Sequence, residues 1–209
     1  MELESLNFDL YHPQPLLIVI SGASGIGKDA VLKSLRQRDL GLHFVITATS
    51  RAPRPGEVDG KDYFFFSREE FKARIEKGEF IEYAMVYSDY KGAPRWQVDD
   101  ALKSGKDVVL RVDVQGAETY REMYPEAVLI FLIPETVEEW FDRLMARNTE
   151  PPEDLKIRIE TAKEEVAKIG LFDYVVVNAN NRLEEAVDDI VDIIKVEHHK
   201  VHHRKLIKA

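Results

Sequence analysis

Residues Gly22-Ala23-Ser24-Gly25-Ile26-Gly27-Lys28 have the types and spacing that hold polyphosphate. Glycines let successive backbone N–H groups turn toward phosphate oxygens, and a helix starting just after them adds partial positive charge. Lys28 would reach the β- and γ-phosphates of a bound nucleotide. The pattern G-x-x-x-x-G-K-[ST] places a Mg²⁺-binding hydroxyl next, where this chain has Asp29. A carboxylate is a good hard ligand for that ion. Without metal it repels phosphate, by roughly 4 kcal/mol at about 4 Å in an effective dielectric of about 20. The expectation is nucleotide binding that depends steeply on Mg²⁺. The alternative for Asp29 is a helix-start aspartate favoured by the helix dipole.

A second constellation follows in Thr47-Ala48-Thr49-Ser50-Arg51-Ala52-Pro53-Arg54-Pro55-Gly56-Glu57, continuing to Tyr63. Arg51 and Arg54, three apart, can clamp one phosphate dianion with bidentate donors. Pro53 and Pro55 lower the entropy lost in holding the turn.

The elements around these residues alternate between strand and helix. Leu16–Ser21 reads as a buried strand and 29–38 as its crossover helix. Strands are expected at 43–49, 106–113, 127–133 and 174–177, with helices at 115–123, 137–147 and 183–196. Repeated βα units predict a parallel α/β sheet with helices on both faces, ligands binding at the strands' carboxyl ends. Two stretches interrupt the pattern. Residues 51–106 carry Lys61-Asp62-Tyr63-Phe64-Phe65-Phe66, a helix at 68–77 and a strand at 80–86, and read as an inserted α+β lobe. Residues 148–171 are charged and helical, open on Pro151-Pro152, and read as a lid.

Composition bounds the possibilities. The 209 residues are 44% hydrophobic and 32% charged, as in an ordinary water-soluble globular domain. The net charge of −9 argues against a broad nucleic-acid-binding face, though not against a local arginine cluster. No apolar run approaches the roughly 20 residues of a membrane span. With no cysteine there is no disulfide, thiolate nucleophile or cysteine zinc site. The acidic start Met1-Glu2-Leu3-Glu4-Ser5 resembles neither a secretory signal nor a transit peptide, so a cytoplasmic location is expected, with the plastid stroma as the alternative. His198, His199, His202 and His203 have helical i, i+4 spacing, but no acid or cysteine completes a zinc set among the neighbouring lysines and Arg204. A basic tail at 199–209 is the simpler reading. Trp96 and Trp140 are expected to serve packing.

The stretch from Thr47 to Tyr63 resembles the S-x-T-T-R-x-P-R-x-G-E-x-x-G-x-x-Y signature of guanylate kinases. The resemblance spans nearly the whole chain. It continues at Phe80-Ile81-Glu82-Tyr83-Ala84, Asp113-Val114-Gln115-Gly116, Arg147-Asn148-Thr149-Glu150 and Val176-Val177-Asn178. Gly27-Lys28-Asp29-Ala30 and Asp89-Tyr90-Lys91-Gly92 are most similar to plastid-type members. The resemblance implies a P-loop NTPase-type core (14–46, 107–146 and 172–198), a GMP-binding lobe (47–106) and a lid (147–171) within one domain at 14–198. It implies transfer of the γ-phosphoryl of ATP to GMP with Mg²⁺, giving ADP and GDP, with dGMP as a further acceptor.

Roles follow from that resemblance. Gly22 to Asp29 would hold ATP, with Asp29 on the metal. Arg51, Arg54 and Tyr63 would hold the GMP phosphate, with Glu57 in the same substrate set, and Glu82 would read guanine, with Thr47 near the base. A carboxylate accepts from guanine N1–H and N2 together, whereas adenine offers no such donor pair and leaves the acid desolvated and unpaired. Arg147 and Arg158 would close on the transferring phosphoryl, and Asp113 would face base or metal. Asn178 is either a site residue or structural. The acceptor phosphate is already a nucleophile, so neutralising charge is the main task, and Lys28, Arg51, Arg147 and Arg158 are the expected catalytic residues.

Three further positions depart from the family. Lys91 stands where a phosphate-binding tyrosine is usual and would still bind the substrate phosphate through its charge, and Ala93 stands where a hydroxyl contacts the guanine side. Arg111 replaces the first acid of D-x-D-x-Q-G, and could pair with a phosphate or with Asp113. Two alternative functions stay open: a ribose 1,5-bisphosphate-type phosphokinase, and a non-catalytic protein-binding module. Glu82 with the arginine set speaks against the first, and Lys28 with the lid arginines against the second.

Overall fold

The computed structural model describes residues 12–86, 88–146 and 152–201. Strand β1 (Leu17–Gly22) lies at the centre of a five-stranded parallel sheet, flanked by β7 (Val108–Arg111) and β8 (Val128–Ile133). Strand β2 (His43–Phe44) forms one edge and β9 (Tyr174–Val177) the other. Strand β1 is buried along its whole length because both sheet faces are covered. Ile18 and Ile20 pack toward helices α1 (Lys28–Arg36) and α7 (Leu183–His198). The alternate residues Leu17 and Val19 pack toward α3 (Arg95–Lys103) and α4 (Val114–Met123). Each such aliphatic side chain contributes about 1.5–3 kcal/mol by leaving water.

A second, four-stranded sheet carries β3 (Ala48–Thr49), β4 (Phe64–Phe65), β5 (Phe80–Val86) and β6 (Asp89–Pro94), in the order β4-β3-β6-β5. Its core is aromatic. Phe71 of α2 (Arg68–Glu76) stacks on Phe80 at 4.3 Å and on Tyr90 at 5.4 Å.

The strand expected at 43–49 is two strands in two different sheets. His43 and Phe44 pair with Val108 and Val109, whereas Ala48 and Thr49 pair with Gly92 and Lys91. At the crossing, Ile46 has no strand partner for its backbone. The buried Gln97 carboxamide takes that place, accepting from Ile46 N at 2.9 Å and donating to Ile46 O at 2.5 Å. Helix α3, on which Gln97 sits, was not legible as a helix in the sequence, nor was β6 as a strand. Val98, Ala101 and Leu102 of α3 pack on the parallel sheet. The other expected strands and helices, α5 (Val137–Ala146) among them, lie within about two residues of their observed bounds, and the charged stretch at 148–171 holds the shorter helix α6 (Pro152–Ala167). No helix among the described residues is long and apolar enough to cross a membrane.

Candidate functional site

The glycine-rich loop joins β1 to α1, and its shape is fixed from outside. Trp140 Nε1, on α5, donates to Ser24 O at 3.0 Å. Asn178 Nδ2 donates to Ile26 O at 2.7 Å, and Arg143 Nη1 donates to the same carbonyl at 3.2 Å. Arg143 also donates to Asn178 O and Asn180 Oδ1, at 2.8 and 2.9 Å. In a planar trans peptide the N–H opposes the C=O. Carbonyls drawn toward α5 therefore leave the N–H groups of Gly25 and Gly27 pointing the other way. Gly27 holds φ +93°, and a Cβ there would lie 2.7 Å from Asn178 Nδ2. At Gly22 a Cβ would lie 2.5 Å from Leu132 O on the neighbouring strand. Both glycines answer a steric demand as well as a conformational one.

This loop, Lys28, Asp29 and Arg111 line a cavity of about 190 Å³. Lys28 Nζ donates to Gly22 O and, at 3.3 Å, to Ala23 O, so the amine lies folded over the loop. Burial lowers its pKa, while the charge of Glu165 opposes that shift. Glu165, on α6, also accepts weakly from Ser24 N at 3.3 Å.

A neighbouring cleft of about 260 Å³ is lined by Thr47, Tyr63, Glu82, Ala93, Asp29 and Arg111, among others. Burial raises Glu82 to about 7, with the negative charge of Asp113 adding to the effect. Arg51 grips Glu57 through two 2.8 Å hydrogen bonds, and Glu57 also accepts from Arg54 N at 2.6 Å. The Arg51 guanidinium holds the Glu57 carboxyl down at about 2. Arg51 also lies over the Tyr63 ring, 5.2 Å from its centre.

Other expected residues fall outside these two cavities. Asp113 caps α4, accepting from Gly116 N at 2.8 Å, and lines a third cavity with Glu165 and Gln115. Lys91 sits in β6 between Thr49 and Ala84 and is not among the residues lining the cleft. Arg158 is half-buried on α6, and Arg147 lies outside the described residues. Of the two partners open to Arg111, the observed one is neither: its Nε contacts Asp29 Oδ1 at 2.8 Å. The sequence reading missed the bracing by Arg143, Asn180 and Glu165. It also treated Trp140 as packing alone, whereas the indole N–H binds the loop. The i, i+3 spacing of Trp140 and Arg143 on one helix face was the available signal. Asn178 braces the loop through its bond to Ile26 O. His198 pairs with Asp107 at 2.7 Å, and His202 and His203 lie outside the described residues.

Comparison with known proteins decides among the functions that this geometry allows. The guanylate kinase family model matches residues 14–197. The chain belongs to the guanylate kinase family. It is 53% identical over 193 residues to guanylate kinase 2, chloroplastic/mitochondrial, of Oryza sativa subsp. japonica, covering 92% of this chain and 68% of that one. It is 46% identical over 185 residues to the guanylate kinase of Halalkalibacterium halodurans, covering 88% and 90%. The crystal structure of guanylate kinase from Anaplasma phagocytophilum superposes with a TM-score of 0.68 at 31% identity, covering 91% and 90%. The protein is thus an enzyme, an ATP:GMP phosphotransferase, as the resemblance implied. The bisphosphate-kinase and binding-module alternatives find no support in these comparisons.

Proposed function

We propose that this guanylate kinase works as two anion sites meeting end to end. ATP lies with its phosphates on Gly22–Lys28 and the start of α1, where backbone N–H groups, the helix dipole and Lys28 attract them. Lys28 leaves the Gly22 and Ala23 carbonyls for the phosphates. GMP lies in the neighbouring cleft, its base on Glu82 with Thr47 close by, its phosphate toward Tyr63, Arg51 and Arg54. Glu57 keeps the Arg51 fork oriented and touches no phosphate itself, since two anions would repel. Arg147 and Arg158 are assigned to closure of the 147–171 segment over the reacting groups, with Asp113 beside the base or metal.

The reaction joins the GMP phosphate oxygen to the γ-phosphorus of ATP and releases ADP. The nucleophile needs no general base, so the protein's contribution is alignment and positive field. Mg²⁺ bound with ATP would neutralise phosphate charge, with Asp29 as the residue that would hold it. The exposed Asp29 carboxylate fits an ion that keeps several waters and takes one or two protein carboxylates alongside substrate phosphates. The cytoplasm is the proposed compartment, with the plastid stroma as the alternative, which the chloroplastic/mitochondrial designation of the rice relative fits.

One observation carries this reading: Glu82 and Asp29 line the same cleft, and Asp29 also lines the cavity of the phosphate loop. The test is ADP production from ATP and Mg²⁺ with GMP, AMP or ribose 1,5-bisphosphate as acceptor. Turnover is expected with GMP, and turnover only with another acceptor would overturn the assignment of Glu82.

A further inference from the structure

Two of the chain's departures from its family touch each other. Asp29 stands where a hydroxyl is usual and Arg111 where an acid is usual, and their side chains meet at 2.8 Å. Arg111 is the last residue of β7, paired in register with Ile20 of β1, so its Cα is fixed at the carboxyl end of the sheet. Its side chain lines both the cavity of the phosphate loop and the cleft that holds Glu82 and Tyr63. Among the described residues, only Asp29 shares that double placement. The region where the two cavities adjoin is where a phosphoryl group must pass between nucleotides.

We propose that Arg111 is a phosphate-contacting catalytic residue of this enzyme, held between the donor and acceptor sites by Asp29. The inference rests on the two-site reading above. Replacing an acid by arginine there changes the local charge by two units, and replacing a hydroxyl by Asp29 restores one of them. The pair is exposed, 42% for Arg111 and 72% for Asp29, so breaking it has little effect on stability. Arrival of ATP with its metal gives each partner a stronger counter-ion: the guanidinium takes phosphoryl oxygens and the carboxylate turns to the cation. In the empty site the same pairing masks a carboxylate that would otherwise repel ATP. The guanidinium is close enough to Lys28 to add to the lowering of its pKa.

A four-corner set tests this: wild type, Arg111→Ala, Asp29→Ser and the double variant. ADP production with GMP gives kcat and KM, calorimetry gives ATP affinity in EDTA, and melting temperature reports the fold. Arg111→Ala is expected to lower kcat by about 10- to 100-fold, the scale of one charge-assisted contact to a transferring group. The melting temperature should hold. Metal-free ATP affinity should fall about tenfold in Arg111→Ala, where the bare carboxylate is left facing the phosphates, and recover in the double variant. Arg111→Lys should regain part of kcat. A kcat for Arg111→Ala within twofold of wild type would overturn the proposal. So would metal-free ATP affinities that combine additively across the four proteins. Failure of the wild type itself to phosphorylate GMP would instead defeat the underlying two-site reading.

Discussion

Replacing Glu82 by Gln separates its two consequences, one for folding and one for recognition. In the empty enzyme burial raises this carboxyl to about 7 from an ordinary 4.5. Between those values the folded state keeps a proton that the unfolded state has lost. Stability therefore falls as pH rises from about 4.5 to 7, by up to about 3 kcal/mol at 1.36 kcal/mol per pKa unit. Glu82→Gln removes that titration. Relative to wild type, the variant should gain up to about 3 kcal/mol between pH 4 and pH 8, read by denaturant unfolding at both values. Recognition runs the other way. Ionised Glu82 can accept from guanine N1–H and N2 together, whereas the amide of Gln presents a donor to one of them. Loss of a charge-assisted contact of about 1.5–3 kcal/mol should raise the KM for GMP roughly 10- to 100-fold. For wild type, GMP binding requires the carboxylate, so affinity should weaken about tenfold per pH unit below 7. The phosphate of GMP also titrates, but it does so against both proteins, and the difference between their pH curves isolates Glu82. Parallel curves for wild type and Glu82→Gln, in unfolding and in KM, would refute both the raised pKa and the assignment.

Further outcomes follow from the site. Lys28→Ala should lower kcat at least 100-fold with the melting temperature nearly unchanged, and near-normal turnover would sink the phosphate-loop reading. Arg143→Ala removes donors from Ile26 O, Asn178 O and Asn180 Oδ1 and should cost about 2–4 kcal/mol of stability while raising the KM for ATP. An unchanged KM would mean that Trp140 and Asn178 hold the loop's shape without Arg143. Gly27→Ala forces a side chain against Asn178 at φ +93° and should weaken ATP binding with a stability loss of about 1–3 kcal/mol, measured by calorimetry and unfolding. Glu57→Gln loosens the fork of Arg51 and should raise the KM for GMP severalfold without altering the KM for ATP.

The chain's local patterns carried much of this. The continuous apolar run Leu16 to Ile20, followed by Gly22 and then Gly25-Ile26-Gly27-Lys28, specifies strand, loop and helix, because glycine spacing and periodicity are properties of neighbours in the chain. Residue types also carried the arginine cluster and the choice of Glu82, through a family pattern written in contiguous residues. What lay beyond the sequence depends on residues distant along the chain. The 43–49 run looks like one strand because its pattern does not say which sheet each half joins; Gln97, some fifty residues on, satisfies the crossing at Ile46. Nothing near Ser24 or Ile26 in the chain announces Trp140, Arg143 or Asn178, whose bonds hold the loop carbonyls. Asp29 and Arg111, each an isolated departure in the sequence, become one ion pair only when β7 and β1 lie side by side. Chemistry within reach of neighbouring residues is written locally, and contacts across the sheet exist only once the chain has folded.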